Sequence, residues 1–268
     1  MRKIFCLALI LLTVALTGCG SSDEKNSVKV GTLTQLNSTP EQAANISGGA
    51  MNFYDNFNSM QMALQSQTID KIQTYSSVAG YMTANNSGLA IDTQSTIEIV
   101  DNFCCAMRDG DADLKNSFDA AISSMKADGT LDALAAKYIR NPSPTPQAVA
   151  MPHIDGAQTI KVGVTGDLPP LDLVLPDGTP AGFNTAVLAE ISKRIDKNIQ
   201  LLQIDSGARA VALTSGQVDV IFWVIVPEEN SNRPKNLDTP EGVAVTGAYY
   251  QDKVVHVHIQ DLSGAFAN

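Results

Sequence analysis

The sequence predicts an α/β fold made of two lobes of related design, and three observations carry that prediction. A phrase recurs: residues 62–72 read MALQSQTIDKI and residues 211–221 read VALTSGQVDVI, matching Ala63, Leu64, Ser66 and Asp70 to Ala212, Leu213, Ser215 and Asp219. The phrase has the parts of a helix end, a tight turn and a buried strand start, so its Asp is expected to fix the turn or cap backbone. A second pair stands upstream: residues 28–32 (VKVGT) and 160–164 (IKVGV) are β-branched, alternate in polarity and contain Gly, which reads as a strand. Between these landmarks, helical and strand periods alternate. That is the pattern of a mostly parallel sheet covered on both faces.

The second half shows the alternation best. Phe183, Val187, Leu188, Ile191 and Ile195 recur at helical spacing. A strand over 199–204, a helix over 208–215 and a strand over 218–226 follow. The first half is expected to hold a strand over 70–74, then a helix capped by Ser76 or Ser77 and running through Met82. A strand over 103–107 comes next. Leu114, Phe118, Ala121, Ile122 and Met125 form a helical stripe that stops at Asp128-Gly129, and a last helix covers 131–139. Between the halves, NPSPTP at 141–146 alternates three prolines, the composition of an extended, semi-rigid spacer.

The amino terminus reads as an export signal. Met1-Arg2-Lys3 is basic, and the apolar run 4–16 is too short for a bilayer, which needs about 20 residues. The stretch Leu16-Thr17-Gly18-Cys19 resembles the lipobox of bacterial lipoproteins, which implies a lipidated Cys19 as the mature amino terminus and 20–27 as a polar tether. Loss of Arg2 and Lys3 leaves 16 basic residues against 28 acidic ones, a formal charge of −12. Such a surface repels nucleic acid and anionic headgroups, so attachment to the membrane falls to the acyl chains. Cys6 leaves with the signal. Cys104 and Cys105, adjacent in sequence, are expected to be buried thiols, because a bond between strand neighbours would be strained.

Residues 160–184, IKVGVTGDLPPLDLVLPDGTPAGFN, resemble the opening of bacterial extracellular solute-binding proteins of the amino-acid-transporter type. The motif Ala212-Leu213-x-Ser215-Gly216-x-Val218-Asp219 and the pair Tyr249-Tyr250 also match. Residues 103–140, with Lys126-Ala127-Asp128-Gly129-Thr130, resemble that family's carboxy-terminal end. Here the closing block precedes the opening one. A circular permutation accounts for the order, and a fusion of two partial proteins is the alternative. The expected layout is a second-lobe unit at 28–102, a hinge strand with carboxy-terminal-type helices at 103–140, a linker at 141–159, the first lobe at 160–250, and a second hinge strand and tail at 251–268. Residues 103–107 and 254–258 are expected to lie antiparallel as hinge strands, and permutation requires Val28 and Ile259 to be neighbours in space.

The resemblance implies a two-lobed, type II periplasmic-binding-protein-like fold that closes on a small polar solute, an amino acid or a carboxylated relative, and hands it to an ABC-type permease as a monomer without a cofactor. The expected first-lobe contacts are Asp167, Leu168, Pro170 and Leu171 in the loop TGDLPPL, with Phe183, Arg209, Trp223 and Arg233. Thr74, Tyr75, Ser76 and Ser77 are the second-lobe candidates. Leu171 stands where the family has an aromatic ring, Tyr75 where it often has an Asp, and the stretch Phe222–Val226 lacks its hydroxyls. Arg209, Arg233 and the helix start at Ser76 point to an acidic solute. His256 and His258 share a strand face, but two ligands alone do not make a zinc site. A dehydratase-like enzyme on the same fold, with Asp167 as its one cleft carboxylate, and a sensor or adhesion lipoprotein without a ligand are the competing classes.

Overall fold

Ten of the strands form one curled ladder in the computed structural model, which describes residues 27–34, 50–93, 98–231, 235–236, 238–239 and 241–260. The expected signal segment, Cys19 and Arg233 lie outside those residues. The strands are β1 (Lys29–Leu33), β2 (Ala50–Tyr54), β3 (Lys71–Tyr75), β4 (Leu89–Ile91), β5 (Val100–Arg108), β6 (Thr159–Val164), β7 (Asp167–Leu168), β8 (Asp172–Val174), β9 (Pro180–Ala181), β10 (Asn198–Gln203), β11 (Val220–Pro227), β12 (Val243–Val245) and β13 (Tyr250–Ile259). The helices are α1 (Phe57–Gln65), α2 (Ser76–Asn85), α3 (Ala112–Ala127), α4 (Thr130–Ala135), continued by a π-helical turn (Ala136–Arg140), α5 (Phe183–Ile195) and α6 (Arg209–Thr214).

The ladder runs β10-β6-β11-β5-β13-β3-β1-β2, with β12 attached to β5 and β4 to β13. Each half repeats the other. Three parallel strands, β10-β6-β11 or β2-β1-β3, meet one antiparallel strand, β5 or β13. The two antiparallel strands then pair with each other through Val100–Phe103 and Tyr250–Lys253. The hinge register therefore differs from the expected one. Residues 103–107 pair with β11 and β12, and residues 254–258 pair with β3, because each strand uses one end for its lobe and the other for the crossing.

The recurring phrases have the same job in both lobes. Asp70 N–H donates to the Lys29 carbonyl at 2.8 Å, and its carboxylate accepts from Lys29 N–H at 2.7 Å. Asp219 repeats this on Lys161, at 2.8 and 2.9 Å. The side chain thus closes the end of the neighbouring strand, satisfying a donor that the ladder leaves open. Gly31 and Gly163 also correspond: a Cβ would lie 2.5 Å from Ile69 Cδ1 in one lobe and 2.9 Å from Ile204 Cδ1 in the other. Asp70→Ala should cost about 1 kcal/mol in urea denaturation. Asp219→Ala should cost more, since Asp219 also accepts from Arg108 at 3.2 Å. Equal losses would contradict the ion-pair share.

Val30 and His258 both stand opposite Lys71, on opposite sides of β3. Val28 and Ile259 are therefore at the same end of the lobe, separated by two strand spacings, on the order of 10 Å. The end of the 141–159 linker is fastened to the β6 half: Val149 N–H bonds the Pro180 carbonyl at 2.8 Å, and the Asn198 side chain bonds Ile154 N–H and carbonyl at 2.8 and 3.0 Å. None of the described helices is long and apolar enough to cross a membrane. Cys104 and Cys105 are buried and unbridged, and burial pushes the Cys104 thiol up to about 12 and Cys105 well above its usual range.

Candidate functional site

The two sheet halves face each other across a cleft whose floor is the β5/β13 crossing. β11 supplies its central side chain. Its register against β5 slips between Phe222 and Val224, so Trp223 drops out of the ladder, and a bulge of this kind re-aims a side chain. The indole stacks on Phe103 at 4.3 Å between centroids and meets Tyr75 of the other half edge-on at 5.5 Å. Each aromatic ring has its polar tip fixed by a buried carboxyl. Trp223 Nε1 donates to Asp172 at 3.2 Å, and the Tyr75 hydroxyl donates to Asp101 at 2.8 Å.

The cavity above these rings encloses about 50 Å³ of room for water-sized spheres, space for a few waters at about 10–15 Å³ each. Hydroxyl-bearing residues line it from both halves, Thr32, Thr34 and Thr74 on one side and Thr165 and Ser206 on the other. Gln73 also lines it, and its buried Oε1 has no hydrogen-bond partner. Arg209 and Asp238 are the only charged residues among the described lining, and they pair with each other at 3.2 Å.

Three contacts hold the halves together around the cavity. Asp167 accepts from Phe57 N–H at 2.7 Å and Asn58 N–H at 3.4 Å, capping α1 from across the cleft. Ser206 N–H bonds the Asp55 carbonyl at 2.8 Å, and Arg209 Nη2 bonds the Thr34 carbonyl at 3.2 Å. The approach at Ser206 is tight: a Cβ on Gly207 would stand 2.4 Å from Asp55 Oδ1.

The residues expected from sequence divide accordingly. Leu168, Arg209, Trp223, Thr74 and Tyr75 line the cavity. Asp167 is half-buried at the lobe contact rather than in the cavity, and burial raises its carboxyl above the usual range. Leu171 and Phe183 are fully buried in the core rather than in the cavity, and Phe183 packs on Tyr249 and Tyr250. Pro170 lies on an outer groove with Tyr81 and Tyr138. Ser76 and Ser77 begin α2, yet the expected anion position there is filled by the chain itself: the Asp252 carboxylate accepts from the Ser76 hydroxyl and from Ser77 N–H, the latter at 3.0 Å. Arg209 is likewise engaged by Asp238, so these two anchors for an acidic solute are neutralised from within.

Sequence reasoning missed these two neutralising carboxyls, Asp238 and Asp252, and also Asp101 and Asp172, which hold the Tyr75 hydroxyl and the Trp223 indole. Asp172 is almost wholly buried, and burial raises it to about 7 against the donors of Asn184, Thr165 and Trp223. His256 is buried on β13, its pKa lowered by burial and by Lys71. Among the described residues no group of three His, Cys, Asp or Glu side chains is placed to hold a metal.

Residues 160–239 match the family model of bacterial extracellular solute-binding proteins, family 3. That family consists of binding proteins, the class that the sequence reading preferred to an enzyme. No curated protein matches the chain. Similar solved structures include the ligand-binding component of an ABC-type import system from Staphylococcus aureus, with zinc bound (12% identity, 88% of this chain and 67% of that chain, TM-score 0.43). The amino acid ABC transporter substrate-binding protein AbpA from Streptococcus pneumoniae, bound to L-arginine, is similar at 12% identity, 90% and 84% coverage and TM-score 0.41. Arginine-bound ArgBP from T. maritima is similar at 11% identity, 88% and 89% coverage and TM-score 0.39.

Proposed function

With residues 160–239 matching family-3 solute-binding proteins, we propose that the chain captures a small polar solute between its lobes and delivers it to an ABC-type importer. The observation that carries this reading is the cleft itself. Two pseudo-symmetric sheet halves, joined by two crossing strands, present hydroxyls and an aromatic pair to one enclosed space. In this reading Cys19 carries the lipid anchor, a monomer docks on the permease, and the lobes divide at the β5/β13 crossing. The chain order is a circular permutation, supported by the closeness of Val28 and Ile259 on either side of β3.

The test begins with the chain purified without its signal. Denaturation and mass spectrometry of the released small molecules identify any captured solute, and that solute must then raise the melting temperature. Trp223, the only tryptophan, reports occupancy by fluorescence. An absence of response across a broad panel would sink the transport reading. It would favour a sensor that has lost its ligand, a second reading to which the small cavity gives weight.

Closure supplies a further prediction. Asp167→Ala removes a charged acceptor that caps a helix across the cleft, a contact in the range of about 1.5–3 kcal/mol. The open population should rise at least about tenfold. Small-angle scattering and Trp223 emission should both move; an unchanged radius of gyration and spectrum would show that Asp167 is not a latch.

A further inference from the structure

The Arg209–Asp238 pair does more than neutralise a buried charge. Arg209 makes hydrogen bonds in every direction its guanidinium offers: Nε to the Ser206 carbonyl at 3.1 Å, Nη1 to the Trp223 carbonyl at 2.7 Å, Nη2 to the Thr34 carbonyl at 3.2 Å, and Nη1 and Nη2 to the two Asp238 oxygens at 3.5 and 3.2 Å. Five N–H groups meet five acceptors, so the donor inventory is spent. Asp238 also accepts from Ile225 N–H at 3.0 Å, and it is 1% exposed. A guanidinium fork beside a strand N–H is an arrangement that recognises a carboxylate. Here the carboxylate belongs to the chain.

We propose that Asp238 is a built-in anion that determines specificity: it occupies the cleft's carboxylate position, and so reserves the cavity for small uncharged polar solutes. This rests on the solute-binding reading and narrows it. An incoming carboxylate would have to break the buried Arg209–Asp238 ion pair and bring a second negative charge beside it, which is strongly unfavourable. An uncharged solute displaces nothing. The rest of the lining suits one, since the Thr and Ser hydroxyls can donate or accept and Gln73 Oε1 awaits a donor. A hydroxyl- or amide-bearing compound of a few non-hydrogen atoms meets these demands.

The experiment is chemical rescue in the mature chain. Asp238→Ala empties the carboxylate position, and sodium acetate, compared with sodium chloride at equal ionic strength, should refill it. The expected result is saturable stabilisation and a saturable Trp223 emission change in Asp238→Ala, with a response to acetate at least about 30-fold weaker in the unmodified chain. Asp238→Asn, which keeps an acceptor at Ile225 N–H, should respond no better than the unmodified chain. No acetate response in Asp238→Ala would overturn the proposal. So would saturable binding of glycine, glutamate or acetate by the unmodified chain. Should Asp238→Ala fail to fold, Asp238→Ser carries the same acetate comparison, and the carboxylate panel on the unmodified chain still decides. Failure of the transport reading looks different: no uncharged solute binds, while acetate still rescues the variant.

Discussion

Phe103→Ala should lower the stability of the folded chain by about 3–5 kcal/mol, the range for deleting a fully buried aromatic ring. Phe103 has no exposed surface, and its ring touches Trp223, Tyr75, Tyr250 and Tyr249, at 4.3, 4.7, 5.7 and 6.4 Å between centroids. Its backbone stands where the halves join, opposite Ile225 on β11 and Tyr250 on β13. Truncation would open a cavity beneath both cleft aromatics at once. Trp223 would lose its stacking partner and Tyr75 its edge contact, so Trp223 emission should shift to the red in the folded state. Phe103→Leu retains most of the volume and should cost under about 1.5 kcal/mol. Urea denaturation followed by far-ultraviolet dichroism measures both. A loss below about 1 kcal/mol for the alanine variant would mean that the crossing is not a packed hub.

Why was so much of the frame visible in sequence, and so little of the site? The frame obeys local rules. The α5 helix was expected over the span it occupies, because its apolar stripe has one period and Asp196 ends it in the left-handed region at φ 55°. The recurring phrases marked equivalent turns because Asp70 and Asp219 act on backbone a short distance away in space. Element ends shifted by one to four residues, most at the crossing strands β5 and β13, and the short strands β7 to β9 were missed, being too brief to show a period. The hinge register was displaced because nothing local tells which half of β5 or β13 crosses.

The site depends on partners far apart in the chain. Asp172 meets Trp223 across 51 positions, Asp252 meets Ser76 across 176, and Asp238 meets Arg209 across 29. A lone Asp in a loop carries no sign of which cation or helix it will meet. Arg209 was legible as a cleft cation, yet its neutraliser was not, and so an acidic solute was inferred. The correction runs from pairing to chemistry: a buried guanidinium already matched within the fold is no longer an anchor for a ligand's charge.

Asp172 gives the second large effect, and it depends on pH. Its carboxyl titrates near 7 in the folded chain against 3.8 when unperturbed, burial being the chief cause. Below 3.8 the group is protonated in both states and has no influence. Between 3.8 and 7 the unfolded chain releases the proton while the folded one keeps it. The folded state then binds more protons, and stability falls as pH rises, levelling above 7. The loss amounts to on the order of 4 kcal/mol. His256 works the other way, its lowered pKa making stability fall as pH drops below 6.5, and Asp167 and other shifted carboxyls add their own slopes to the raw profile of the unmodified chain. Asp172→Asn separates them. Its amide oxygen can still accept from Trp223 Nε1, and no proton is released. The stability of Asp172→Asn relative to the unmodified chain should therefore climb between pH 4 and pH 8 by about 3–4 kcal/mol, measured by urea denaturation at each pH. Parallel profiles would show that Asp172 is ionised in the folded chain across that range, and that the indole is held by a carboxylate rather than a neutral acid.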